Sequence, residues 1–277
     1  MTITNETLLS YEAHLRRLER GASTIEKYRR TIAAFAAWLG ERPLTKEEAL
    51  AWKTELQGSR SCATVNAALA ALNGFFGFLG RDDCRMRFLK LQRRAFRDQS
   101  RELTQAEYRR LILTARAEGN ARLALLLETI GSTGVRVGEV QYITVEAAER
   151  GRTELALKGK IRTILLPAKL CRKLLQFAKQ NRILRGCIFR TRTGAPLSRC
   201  RIWAEMKSLC AAAHVEATKV FPHNLRHLFA VAFYQASRDI VKLADVLGHS
   251  SIETTRIYLL TSEKEHQRQL DQLRLVL

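Results

Sequence analysis

The sequence predicts a mainly α-helical protein with one small β-hairpin and two domains. Apolar residues recur at helical spacing through most of the 277 residues, and proline is scarce, with four residues. One stretch, TELALKGKIRTILLP at 153–167, has alternating apolar residues around a Lys-Gly-Lys turn, which is typical of a hairpin. A basic segment at 82–102 has little apolar periodicity and separates two helical regions. We therefore expect two helical domains joined by a mostly extended linker.

Helix starts are marked by capping boxes, in which a hydroxyl residue precedes a glutamate by three positions. They occur at Ser23, Thr45, Thr104 and Ser250. The first two open helices of an N-terminal helical domain, residues 1–81, whose last helix is expected over 64–79. The third follows the linker and opens the second domain, residues 103–277.

In the second domain, helices are expected on both sides of the hairpin, two before it and five after it. They are expected over 104–119, 120–134, 168–180, 198–214, 223–236, 238–248 and 251–261. Within the hairpin, Leu155 and Ile164 are expected on the apolar face, and Pro167 ends the second strand. The end of the chain, 262–277, is amphipathic and predicts a C-terminal tail helix.

Charge is distributed unevenly along the chain. The 47 basic and 27 acidic residues give a net charge of +20, yet residues 155–204 include 13 Lys or Arg and no acid. Residues 85–97 include six basic residues and no acid. One-signed surfaces repel themselves unless a polyanion neutralises them, which favours nucleic acid as the partner over a membrane surface. The residues expected to contact a DNA backbone are Arg93, Arg94 and Arg97 in the linker, and Lys160 and Arg162 in the hairpin.

Several other classes of protein are disfavoured. The chain has no apolar run long enough to span a membrane and no secretion signal at its start, so a cytoplasmic protein is expected. No Cys-x-x-Cys pair occurs among the six cysteines, and no glycine-rich phosphate loop is present, so neither metal nor nucleotide cofactor is expected. His223 and His227 have the spacing of a zinc site, but Asn224 stands where a metalloprotease needs glutamate.

A different set of residues fits phosphate chemistry that needs no metal, for which a nucleophile, cations and a proton donor are required. Arg136 opens a helical turn after a glycine, in TGVRVGE. His223 and Arg226, three apart in HNLRH, share one helical face. His249 ends a helix in LGHSS, and Tyr258 is expected about two turns along the next helix.

In this order and spacing, TGVRVGEV, HNLRH, LGHSS and the following tyrosine resemble the tyrosine recombinase, or phage integrase, family over about residues 104–265. The region 5–80 resembles the SAM-like core-binding domain of that family. The resemblance implies a two-domain clamp around double-stranded DNA with specific target sites. It also implies a homo-tetramer on DNA, formed from a monomer or dimer. Because the chain starts almost directly with the core-binding region, we expect an Xer-like or small mobile-element recombinase.

The resemblance also implies roles for the matching residues. Tyr258 would attack the scissile phosphate and leave a 3′-phosphotyrosyl link and a free 5′ hydroxyl. Arg136 and Arg226 would clamp the phosphate, His223 would assist proton transfer, and His249 would hydrogen-bond the phosphate. No cofactor is implied.

The family's general acid is a lysine in the hairpin turn. In this sequence the hairpin is about one residue shorter than usual. The lysine is therefore expected at Lys158, and Lys160 remains the alternative.

The function expected from these residues is site-specific DNA recombination, giving integration, excision, inversion or resolution. Two alternatives remain open at this point. A type IB-like topoisomerase shares the chemistry but needs no target site, and a helical DNA-binding regulator explains the charge without catalysis. The sequence also leaves open whether the tail helix packs within its own chain or on a neighbouring copy.

Overall fold

The computed structural model describes residues 3–91, 101–157, 160–249 and 251–258, together with 267, 271 and 272. Over these residues the chain is mainly helical and has one two-stranded antiparallel sheet, which confirms the predicted fold class. The chain divides into two compact units, Met1–Arg93 and Arg94–Leu277. No helix in the described part of the chain is long and apolar enough to cross a membrane.

The first unit consists of four helices around an aromatic core. They are α1 (Asn5–Arg17), α2 (Ala22–Leu39), α3 (Lys46–Ser59) and α4 (Cys62–Phe78). Phe35, Phe75 and Phe76 are fully buried, and Trp52 packs edge-on against Phe35 with 5.3 Å between ring centroids. Such large apolar side chains supply most of the hydrophobic stabilisation of a small helical domain.

The predicted capping box at Ser23 is wrong, whereas the one at Thr45 is confirmed in its side-chain hydrogen bond. Helix α2 begins at Ala22 after Gly21, which makes no side-chain cap, so Ser23 already lies inside the first turn. Thr45 accepts a hydrogen bond from the backbone N–H of Glu48 at 3.3 Å. Sequence spacing alone could not separate these cases because a helix start also depends on where the preceding turn ends.

The first part of the predicted linker packs against the first unit. After a 3-10 turn at Asp82–Cys84, residues 85–91 form no helix and lie along α4. Two asparagines of α4 hold this segment. The Asn73 amide accepts from the N–H of Met86 and donates to its carbonyl oxygen, both at 2.8 Å, and Asn66 pairs in the same way with Leu89.

These contacts are consistent with simple geometry, since two helical turns and three extended residues both span about 10 Å. Residues 92–100, which include Arg93, Arg94 and Arg97, lie outside the described residues. The predicted boundaries at 81 and 102 therefore stay predictions.

The second unit is built around helix α6, which is apolar on nearly all sides. Its helices are α5 (Gln105–Ala117), α6 (Ala121–Thr133), α7 (Val145–Arg150), α8 (Ala168–Gln180), α9 (Arg199–Ser208), α10 (Pro222–Ser237), α11 (Ile240–Leu247) and α12 (Ile252–Arg256), with a 3-10 helix at Val137–Tyr142. Leu123, Leu126 and Leu127 of α6 are fully buried. A helix that is apolar all round must lie at the centre of its domain, and α6 contacts α5, α8 and α10.

The predicted hairpin is present. Strands β1 (Arg152–Leu157) and β2 (Lys160–Leu165) pair antiparallel, with Leu155 opposite Arg162. Leu155 and Ile164 are buried in the core of the second unit, as the alternation predicts. The capping box at Thr104 is also confirmed, since Thr104 and Glu107 each bond the other's backbone N–H. At α12 the cap is Ser251, whereas the predicted Ser250 lies outside the described residues.

Candidate active site

Arg136 is held at the pocket wall by a carboxylate. It lies two residues after Gly134, which ends α6 in the left-handed conformation at φ +62°, and it precedes the 3-10 helix. Its backbone N–H and its Nη1 donate to the two carboxylate oxygens of Glu139, each at 2.9 Å, and Nη2 donates to the carbonyl of Gly248 at 3.3 Å. Its side chain is 43% exposed. The guanidinium is thus oriented, while some of its five N–H donors remain available for a ligand.

Glu139 is buried and accepts hydrogen bonds from two arginines. Besides Arg136, it accepts a hydrogen bond from Arg162 Nη1 at 2.5 Å. Burial alone would raise the pKa of Glu139, but the Arg136 N–H and the two guanidinium groups outweigh it and hold the pKa below the usual value. Glu139 is therefore an anion whose charge orients both cations.

Arg226, on the first turn and a half of α10, is almost completely buried. Nη1 donates to the carbonyl of Gly134, and Nη2 donates to the carbonyl of Leu247 at 2.7 Å. These carbonyls end α6 and α11, where helices leave oxygens without helical partners and attract cations. Burial and the charges of Arg136 and Arg162 lower the pKa of Arg226 to about 10, so it remains a cation at neutral pH.

His249 follows Gly248, whose φ of +63° reverses the chain after α11. Its Nε2 lies 3.0 Å from Nη2 of Arg226, and its Nδ1 lies 2.8 Å from the hydroxyl of Thr255. Because the guanidinium can only donate, Nε2 accepts, and in this tautomer Nδ1–H donates to Thr255. Burial, followed by the charge of Arg226, lowers the pKa of His249 to about 4.

Tyr258 lies buried among three histidine rings. The ring of His249 is nearly parallel to it, at 13° and 6.0 Å between centroids, and the rings of His227 and His223 lie 5.1 and 6.5 Å away. The hydroxyl of Tyr258 interacts with the guanidinium of Arg226. The predicted helical position is wrong, since α12 ends at Arg256 and Tyr258 lies in the turn that follows.

One cavity of about 600 Å³ is lined by Arg136, Glu139, Arg226, His249 and Tyr258. His223, at the start of α10, is more exposed than Arg226, and partial burial and the Arg226 charge lower its pKa. Of the six predicted catalytic residues, the cavity brings together Arg136, His223, Arg226, His249 and Tyr258. Lys158 lies outside the described residues, and only the backbone of Lys160, the first residue of β2, is described. The choice between the two lysines stays open.

Two arginines differ from what the sequence suggests. The sequence predicts that Arg162 contacts a DNA backbone, but its side chain is directed into the protein and is only 10% exposed. That position does not fit a surface contact. Arg199, which the sequence did not single out, lines the cavity and packs on Gly138, where a Cβ would lie 2.5 Å from its guanidinium. No spacing rule links Arg199 to the other residues, so only the fold could reveal it.

The candidate groups for ligand binding in this cavity are cations and imidazoles. Within the described ranges, no group of three or more His, Cys, Asp or Glu side chains is arranged to hold a metal ion. The cavity instead offers the guanidinium groups of Arg136, Arg226 and Arg199, which are suited to the oxygens of a phosphodiester.

The low pKa of His249 predicts a pH dependence of stability. Between about pH 6.5 and about pH 4 the unfolded chain binds a proton at His249 and the folded chain does not. Because the unfolded state then binds more protons, stability is expected to fall as the pH is lowered through this window. Thermal unfolding at pH values from 7.5 to 4.5 measures this fall in stability. The His249→Gln variant should lose less stability on acidification, and equal losses in both proteins would contradict the low pKa.

Comparisons with known proteins indicate the family of the chain. Residues 101–265 match the phage integrase family, and residues 8–83 match the N-terminal SAM-like domain of phage integrases. The tyrosine recombinase XerC of Roseiflexus castenholzii is 30% identical, covering 92% of this chain and 90% of its own length. The tyrosine recombinase XerA of Pyrococcus furiosus is 26% identical, covering 99% and 96%.

Solved structures show the same fold. A lambda integrase dimer bound to a COC′ core site has a TM-score of 0.74 at 20% identity, covering 93% of this chain and 95% of its own. XerH bound to its difH substrate before cleavage has a TM-score of 0.71 at 20% identity, covering 97% and 84%. The match to the family over most of the second unit, together with the relatives at full length, establishes that the chain belongs to the phage integrase family of tyrosine recombinases.

Proposed function

We propose that this recombinase cuts and rejoins DNA strands at specific sites by transesterification, with Tyr258 as the nucleophile. The observation that supports the proposal most strongly is the surroundings of Tyr258. Its hydroxyl interacts with Arg226, and the same cavity contains Arg136, His223 and His249. A phenol next to fixed cations is suited to attack a phosphate, because the guanidinium groups stabilise the charge that develops on its oxygens.

In the cleavage step the phenol oxygen of Tyr258 bonds to phosphorus, and the bond from phosphorus to the 5′ oxygen breaks. His223, whose lowered pKa keeps its imidazole neutral near pH 7, accepts the phenol proton. The hairpin lysine protonates the departing 5′ oxygen. The phosphotyrosyl ester conserves the energy of the broken phosphodiester bond. A 5′ hydroxyl of another strand can therefore attack the phosphorus, and the phenol leaves and regains its proton.

His249 needs a rearrangement before it can donate to the phosphate. In the free protein its Nε2 accepts from Arg226 and therefore carries no proton. A bound phosphate that takes over the Arg226 donor frees Nε2. Thr255, whose hydroxyl lies 2.8 Å from Nδ1, can then reverse its hydrogen bond and donate, so that Nε2 carries the proton and donates to a phosphate oxygen.

The assembly follows from the number of strands. Exchange between two duplexes requires four strand breaks, and each chain supplies one Tyr258. We therefore propose four copies on two double-stranded target sites. The structural neighbours are described as bound to DNA, one of them as a dimer, which supports DNA as the partner and an assembly of more than one copy. The predicted cytoplasmic location stays a prediction.

The test is to trap and map the covalent intermediate. The protein is mixed with random-sequence duplexes, quenched with SDS, and the DNA linked to protein is sequenced. We expect a shared sequence motif, protein on the 3′ end and a 5′ hydroxyl that polynucleotide kinase can label. Relaxation of supercoiled plasmid regardless of sequence would favour a type IB topoisomerase. DNA binding without any adduct would favour a regulator and contradict the proposal.

A further inference from the structure

Arg162 is a nearly buried cation in the hairpin of β1 and β2, called here the lysine hairpin because its sequence includes Lys158 and Lys160. Its side chain is 10% exposed, whereas that of Arg152, on the paired strand of the same hairpin, is 61% exposed. Among the described residues Arg162 Nη1 donates to Glu139 at 2.5 Å and Nη2 donates to the carbonyl of Val246 at 3.2 Å, while its buried Nε has no partner. A guanidinium is thus held inside the second unit with a partly satisfied set of donors.

The contacts of Arg162 join three separate segments of the site. Glu139 belongs to the 3-10 helix that Arg136 opens, and Val246 belongs to α11, which leads to His249. The aliphatic stem of Arg162 also packs on Gly248, where an added Cβ would overlap its Cδ. Arg162 itself lies two residues after Lys160 on β2.

Stability alone does not account for a cation at this position. Burial costs a guanidinium its hydration, and Arg162 shares its one carboxylate with Arg136. Removing one partner of a buried ion pair usually destabilises a protein, because it leaves the other charge uncompensated. Glu139, however, would still be paired with Arg136 after an apolar replacement of Arg162, so the fold should tolerate it. An arginine here is therefore better explained by the geometry that it imposes.

We propose that Arg162 is a positioning residue that ties the lysine hairpin to the segments carrying Arg136 and His249, and so fixes the proton donor relative to the scissile phosphate. The inference rests on the proposed function, because it names the step that Arg162 supports. Its loss should slow departure of the 5′ oxygen more than it affects DNA binding or the phosphate clamp.

The test compares two DNA substrates, both of which contain the cleavage site that was mapped with the wild-type protein. One is an ordinary duplex, and the other carries sulfur in place of the 5′ bridging oxygen at the scissile phosphate. A thiolate leaves without a proton, so the second substrate does not need the general acid. Arg162→Met is expected to form the adduct about 100-fold more slowly on the ordinary duplex. On the sulfur duplex it should cleave nearly as fast as the wild type.

Arg152→Met is the matched control, since it makes the same change at an exposed position of the same hairpin. It should cleave both substrates at the wild-type rate. The unfolding temperature of Arg162→Met should be no lower than that of the wild type. If that variant fails to fold, Arg162→Lys, which keeps the charge but cannot make both contacts in one geometry, is compared on the same two substrates and should show the same selective rescue.

Three results would overturn the inference. Wild-type rates of Arg162→Met on both substrates would show that the contacts are dispensable. Equal slowing on both substrates, without rescue by sulfur, would show that the residue acts on the phosphate and not through the proton donor. Absence of any adduct with the wild-type protein would instead refute the proposed function itself, and this result is distinguishable because it precedes every substitution.

Discussion

The Tyr258→Phe variant is expected to form no detectable adduct with DNA, a loss of about 10⁴-fold or more, because it lacks the attacking oxygen. The ring itself should stay in place, since it is buried among His227, His249 and the apolar side chains of α10 and α11. DNA binding should therefore be retained. Denaturing gels measure the adduct, and gel shifts measure the binding.

Tyr142→Phe is the matched control for that experiment. Tyr142 is another phenol that lines the cavity, and it lies at the end of the 3-10 helix. Its variant is expected to form the adduct at the wild-type rate. If the adduct persists in Tyr258→Phe and disappears in Tyr142→Phe, the nucleophile is Tyr142. That result would contradict the mechanism proposed for Tyr258.

The Arg226→Met variant is expected to cleave DNA about 10³- to 10⁵-fold more slowly, which is the range for loss of an arginine that stabilises phosphoryl transfer. Its thermal stability should not fall. Arg226 is buried beside Arg136 and Arg162, its partners are carbonyl oxygens and an imidazole, and its pKa is lowered to about 10, so the charge is unfavourable in the free protein. Function, and not stability, accounts for this residue.

Single-turnover cleavage and thermal unfolding check this prediction together. Arg226→Lys serves as the comparison, because lysine keeps the charge but cannot bind two oxygens with one planar group. It should recover only part of the lost rate. Cleavage by Arg226→Met within about tenfold of the wild-type rate would contradict the assignment, since a cation in contact with the reacting phosphate contributes more than that.

The parts of the site that the sequence predicts correctly are those fixed by local geometry. His223 and Arg226 are three apart and share one face of α10, and Arg136 opens a helical turn because Gly134 takes the left-handed conformation before it. The capping box at Thr104 and the hairpin depend on residues close in sequence, so their patterns are readable without the fold.

The parts of the site that the sequence does not predict depend on tertiary contacts. The acid-free basic run predicts that Arg162 contacts a DNA backbone, although period-two alternation from the buried Ile164 indicates the inner face of β2. The sequence predicts Tyr258 within a helix, but α12 ends after five residues, and the N–H of Tyr258 donates to the carbonyl of Thr255 in a tighter turn. Alternation indicates which face of β2 carries Arg162, but the partners Glu139 and Val246 that enclose it, and the early end of α12, have no distinctive local signal.

In the proposed mechanism one phenol, that of Tyr258, becomes bonded to DNA. Mass spectrometry of the trapped adduct tests it most directly, after nuclease and trypsin digestion. Trypsin releases residues 257–264 as one peptide, IYLLTSEK, which contains Tyr258 as its sole tyrosine. A nucleotide phosphate is expected on Tyr258 of this peptide. A nucleotide on any other residue, with the Tyr258 peptide unmodified, would contradict it.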